Sequence, residues 1–176
     1  MALSDQEFTV KASKILRFRK PVTSGASWAQ DNDGCTNATL NGDYAFAVSA
    51  WHLTPGQPPT PQVVVGIVRY DGKGNRTQID YIGDSLRTRN TTDFAMGETG
   101  TYTVNPDCTG REQVQLNVPN VPPGTSHGVI DSVFVIAGGG RSIHAVVARF
   151  TPPGATQPVS TQTRADSWKV GSEQDN

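Results

Sequence analysis

Most of what marks a chemistry is missing from this chain. Two cysteines, Cys35 and Cys108, are too few and too far apart to build a zinc site, and His52, His127 and His144 show no ligand-like spacing, so no metal is expected. The motifs G-x-S-x-G, H-E-x-x-H, C-x-x-C, Walker A and a strand-borne G-x-G-x-x-G are all lacking, so no cofactor is expected either. No run of ~18 apolar residues can span a bilayer, which excludes membrane insertion by a helix. The first residues also lack the 7 to 15-residue apolar core of a secretory signal, making the cytoplasm the default location and reduced thiols the default state. Export and a disulfide enter only if a signal peptide has been removed. A net charge of −1 excludes the broad basic field that nucleic acid demands. With two methionines and 35% hydrophobic residues, the composition does not suit a helical bundle.

What is present is turn chemistry. Gly 18 and Pro 12 are about one residue in six of 176, above the usual ~12%, and the length suits one domain. From residue 43 the apolar pattern has period two, predicting strands over 43–52, 62–71, 75–84, 94–104, 108–117, 127–137, 141–151 and 159–169. Asp71-Gly72-Lys73-Gly74-Asn75, Asn105-Pro106-Asp107 and Gly138-Gly139-Gly140 read as tight hairpins, and the last opens no helix that would make it a phosphate loop. Sequential hairpins mean a meander. An all-β, eight-stranded antiparallel up-and-down, calycin-like barrel over 35–170 follows, because closure removes the edges and leaves room for one small ligand.

The first 34 residues differ. Ser4-Asp5-Gln6-Glu7 is a capping box, and Phe8, Ala12, Ile15 and Leu16 follow at helical spacing, predicting an amphipathic helix over 5–19 and a linker over 21–34 that carries Trp28. Lys11, Lys14, Arg17, Arg19 and Lys20 against Asp5 and Glu7 make the first twenty residues +3 and leave the rest at −4. Residues 171–176 read as a disordered tail.

Three stretches carry a family resemblance: Cys35-Thr-Asn-Ala-Thr-Leu-Asn-Gly-Asp-Tyr-Ala-Phe46, Val65-Gly-Ile-Val-Arg-Tyr-Asp-Gly-Lys-Gly-Asn75 and Gly100-Thr-Tyr-Thr-Val-Asn-Pro-Asp-Cys-Thr-Gly110. Over roughly residues 35–151 the chain resembles bacterial proteins with an allene-oxide-cyclase-like barrel. Many of those are exported, and in them the two cysteines could be bridged. A subgroup similar in size comprises the actinobacterial cyclases that form spirotetramate or spirotetronate rings by an intramolecular 4+2 cycloaddition in polyketide and antibiotic biosynthesis. One of them closes its barrel with an N-terminal lid. The resemblance implies a cofactor-free cyclase acting on an apolar substrate, with Phe8, Ile15, Leu16 and Trp28 as lid residues.

Such an enzyme needs an apolar cavity with a few inward polar groups. Alternation offers Tyr44 and Phe46, Val68, Tyr81, Met96 with Glu98 and Tyr102, and Phe134 as substrate-binding candidates. If Val104 pairs with Cys108, Glu112, Val114 and Leu116 share the face of Tyr102. If it pairs with Thr109, Gln113 and Gln115 do. Gln115 is the amide suited to stabilising an oxyanion, Glu98 and Glu112 are the carboxylates suited to proton transfer, and one of His144 and Arg149 must point inward. Gln115, His144, Arg149 and Glu98 are therefore the catalytic candidates. The competing reading is a non-catalytic ligand-binding or structural barrel, and a homodimer is the favoured assembly.

Overall fold

A computed structural model describes residues 34–53, 56–83, 93–118 and 121–171. A short 3-10 turn, Asn37–Thr39, precedes β1 (Asn41–Leu53), β2 (Thr60–Asp71), β3 (Asn75–Gly83), β4 (Ala95–Val104), β5 (Thr109–Gln115), β6 (Val129–Ala137), β7 (Ser142–Thr151) and β8 (Ser160–Lys169). Each strand pairs antiparallel with the next, and β8 returns to β1, so the sheet closes into a barrel with no open edge. The predicted helix over 5–19, its linker and the tail beyond 171 lie outside the described residues.

Connection length divides the barrel into two ends. The turns after β2, β4 and β6 are short, and the Asp71 carboxylate organises the first by accepting from the backbone N–H groups of Lys73 (2.7 Å) and Asn75 (2.9 Å). The connections after β1, β3, β5 and β7 are longer and gather at the opposite end.

The short-turn end is filled. Leu40, Tyr44, Val68, Tyr70, Tyr102, Phe134, Ile136 and Ile143 form one buried cluster. Its three tyrosines meet edge to face, with ring centroids 5.4 Å apart for Tyr44 and Tyr70 and 4.9 Å for Tyr70 and Tyr102. Their hydroxyls do not go unpaired: Tyr44 donates to the Gly140 carbonyl (2.6 Å), and Tyr102 to the carbonyls of Leu40 (2.9 Å) and Asn37 (3.0 Å), tying the 3-10 turn across the barrel end. Cys35 and Cys108 are joined by a disulfide beneath this cluster, so the expectation of free thiols fails. The sequence could not reveal that the β4–β5 turn returns beside the entry segment, which brings the two Cα atoms to 4.9 Å.

Two β-bulges decide which side chains enter. On β4, Gln78 faces Glu98 but Asp80 faces Ala95, so Met96 and Gly97 stand opposite the single residue Ile79. Gly97 takes φ +84°, a conformation only glycine adopts without strain. On β7, Ser132 faces Val147 while Asp131 faces Arg149, leaving Ala148 as the extra residue. The β4–β5 register matches neither expected pairing, since Val104 faces Gly110 across a five-residue loop. It nevertheless places Glu112 opposite Tyr102, which sends Glu112, Val114 and Leu116 inward and Gln113 and Gln115 outward.

Candidate functional site

Above the tyrosine plug the interior turns polar. β3 presents Arg76, Gln78 and Asp80 inward, all buried, and its apolar Ile79 and Tyr81 face the outer wall, the reverse of what hydrophobic alternation suggests. β4 adds the buried Glu98, and β5 adds Glu112.

These five groups make one chain of contacts. Tyr70 donates to Glu112 (2.9 Å), and Glu112 pairs with the Arg76 guanidinium. Arg76 in turn donates to the Gln78 side-chain oxygen, which fixes the direction of that amide. The Gln78 amide NH2 then points at two carboxylates, donating to Glu98 and, at 3.3 Å, to Asp80. Burial works against the Arg76 charge, but Glu112, Tyr70 and Glu98 outweigh it and the guanidinium stays charged. Tyr70 is held well above the usual phenol range by burial and then by the Glu112 charge. Glu98 is pushed up to about 7, first by burial and next by the Asp80 charge, with Gln78 and Arg76 opposing. A hydrogen bond between Glu98 and Asp80 acts in the same upward direction, so this pair shares a proton near neutral pH.

Toward the long-loop end the lining changes again. Phe46, Val48, Val64, Ile82, Leu116, Ile130, Val147 and Phe150 face inward but are only half-buried, in contrast to the sealed end; this less tightly packed, largely apolar end is called the cup. Its rim has a polar rank in which His52 Nε2 and Gln62 Oε1 lie 3.1 Å apart, the Thr161 and Thr163 hydroxyls are 2.8 Å apart, and His52 stands 5.8 Å from the Phe150 ring. Phe46 lies over the neighbouring strand because residue 66 is glycine: a methyl there would lie 2.6 Å from the ring. Since Gly66 faces Asp80, the Phe46 ring is laid beside the carboxyl pair.

The candidates chosen from sequence divide sharply. Glu98 is in the polar layer, and Phe46 lines the cup beside it. Tyr44, Val68, Tyr102 and Phe134 are packed into the sealed plug, away from the cup. Tyr81 faces outward against Phe94, with ring centroids 6.0 Å apart, and the β4 bulge turns Met96 outward, 63% exposed. Gln115 is exposed on the outer wall through the five-residue loop. The expectation that one of His144 and Arg149 enters the barrel fails, because the β7 bulge reverses the alternation between them. His144 meets Asp166 (2.7 Å) at an outer depression of about 640 Å3, and Arg149 meets Asp131 (2.6 Å) at another of about 410 Å3. Phe8, Ile15, Leu16 and Trp28 lie outside the described residues, but their segment joins the barrel at Gly34 and Cys35, at the sealed end.

No family model and no curated protein matches this chain. Among the solved structures it is similar to are two distant ones. The S-type phycobiliprotein lyase CPES from Guillardia theta aligns with a TM-score of 0.47 and 7% identity, over 78% of this chain and 92% of the lyase. Rv2717c from M. tuberculosis aligns with a TM-score of 0.36 and 12% identity, over 76% and 94%. At these values neither likeness carries an argument about this chain. Among the described residues no cluster of three or more His, Cys, Asp or Glu is placed to hold a metal, and no helix is long and apolar enough to cross a membrane.

Proposed function

We propose that this chain is a cofactor-free cyclase or isomerase of an apolar small molecule, in which the cup folds the substrate and the Asp80–Glu98 pair hydrogen-bonds its carbonyl. The observation that carries this reading is the position of that pair, between a sealed plug and a largely apolar cup, with Glu98 pushed up to about 7. The Glu98 carboxyl, when protonated at that depth, donates to a carbonyl oxygen. Gln78, oriented by Arg76, holds the carboxyl pair in place. For the 4+2 ring closure of a tetramate or tetronate, the donor draws electron density from the dienophile, and the cup limits the chain to reactive conformers; no proton is transferred. His52, Gln62 and Thr161 at the rim suit the polar end of such a substrate.

The test is conversion of a linear polyene tetramate to its spirocycle, followed by chromatography and mass spectrometry. The wild type converts it, and Glu98→Leu, which removes the donor, lowers kcat about 100-fold. Absence of conversion, with the neutral dye N-phenyl-1-naphthylamine bound in the cup and expelled by Phe46→Trp, leaves only the binding barrel. The disulfide favours that second reading for an exported protein, since such bonds persist in oxidising compartments. A titration showing free thiols in protein from its native cell would remove that support.

A further inference from the structure

The outer wall is not uniform. Over β6–β8 exposed apolar residues such as Val135 and Val146 alternate with Asp131, His144, Arg149, Arg164 and Asp166, the mixed exterior of a solvated sheet. Over the long-loop half of β1–β3 the described outward residues carry no charge. Those of β2 run Pro61, Val63, Val65 and Ile67, with exposures of 57%, 50% and 41% for the last three. Their cross-strand neighbours are Trp51, Ser49, Ala47 and Ala45 on β1 and Gly83, Tyr81 and Ile79 on β3, uncharged throughout. Trp51 continues the patch at one end and Phe94 beside Tyr81 at the other, both 47% exposed. β2 is thus apolar on both faces, the pattern of a strand buried on both sides.

We infer that this face of β1–β3 is the interface of a homodimer, each copy laying its β2 wall on the other's. Three features favour a second copy of this chain. The patch contains no charge, so apposing it to itself brings no like charges together. The nearest cation on β2, Arg69, is already held by both oxygens of Asp43 (2.6 and 2.8 Å), so covering the patch strips water from no unpaired ion. The large side chains named leave on the order of 600 Å2 of apolar surface exposed per copy, close to the roughly 800 Å2 per partner of a standard interface and at the upper end of what a monomer ordinarily shows. Two sheet faces stack in this way at about 10 Å. β3, one of these strands, carries Arg76, Gln78 and Asp80 on its inner face, so the interface backs a strand of the polar layer.

The experiment is sedimentation velocity of the full chain from 0.1 to 100 µM, with Val65→Lys on the patch and Val135→Lys, equally exposed on the opposite wall, as control. The wild type and Val135→Lys sediment as dimers, and Val65→Lys raises the dissociation constant about 100-fold with an unchanged circular dichroism spectrum. A wild type that is monomeric throughout overturns the proposal, as does equal dimerisation of both variants. Monomeric wild type in which Val65→Lys exposes residues 1–33 to protease would assign the face to the chain's own N-terminal segment. Flotation of a monomer with phosphatidylglycerol vesicles, lost in Val65→Lys, would assign it to a membrane. Either result replaces the second copy.

Discussion

The Glu98 carboxyl makes a prediction about stability that does not depend on finding a substrate. Its value is 4.5 in an unfolded chain and about 7 in the barrel, so the native state binds this proton more tightly. The raised value contributes stability in full below about pH 4.5 and loses it as pH rises through about 7, the opposite of a salt-bridged carboxylate. At about 1.4 kcal/mol per pH unit the displacement amounts to about 3 kcal/mol. Asp80 shares the proton, so the shift is not Glu98's alone and about 2 kcal/mol is the discounted figure. Glu98→Gln keeps the shape, accepts from Gln78 and donates to Asp80 without titrating. Relative to wild type it should therefore be near neutral at pH 5 and stabilising by about 2 kcal/mol at pH 8.5. Urea denaturation of both proteins at half-unit intervals isolates Glu98, since the lowered carboxylates such as Asp71, held at about 2 by Asn75 and its neighbouring backbone N–H groups, are common to both. A difference that is flat with pH, or a Glu98→Gln variant less stable than wild type at pH 8.5, would refute the shared-proton description.

Three further outcomes follow from the geometry. Arg76→Met leaves Glu112 buried without its cation and should cost about 3 to 5 kcal/mol, whereas the double change Arg76→Met with Glu112→Leu should recover most of it; thermal denaturation reads both. Cys108→Ser opens a loop whose ends are 73 residues apart and should lower stability by about 4 kcal/mol in urea titrations, a difference that disappears when both proteins are measured in reductant. Gln115→Ala and Arg149→Ala, on the outer wall, should change stability by less than about 0.5 kcal/mol and leave dye binding unaltered; a loss of binding in either would mean the register of β5 or β7 is other than described.

The strands were legible because period-two patterning and turn residues are local. Each predicted span overlaps its observed strand, and the Asp71–Asn75 hairpin closes as its residues require. The site was far less legible. The polar face of β3 looked like its solvent face because hydrophobic alternation assumes an apolar interior, and here the reverse holds. The available signal was β2, apolar on both faces, which left no reason to treat the neighbouring polar face of β3 as the outer one. Inward glycines were a second signal: Gly66 makes room for Phe46, and Gly100 sits against Arg76. For His144 and Arg149 no local signal existed, since a single bulged residue at Ala148 reversed their relation.

The sequence alone determined a small, turn-rich, all-β chain with eight strands in meander order, because those properties depend on neighbours a few residues apart. Tertiary structure decided which face of each strand turned inward, joined Cys35 to Cys108, and set Asp80 beside Glu98 in a layer between plug and cup. Closure of the sheet couples every register to the next, so one bulge or one extra loop residue moves a whole face across the wall, and that coupling is not written in any single segment.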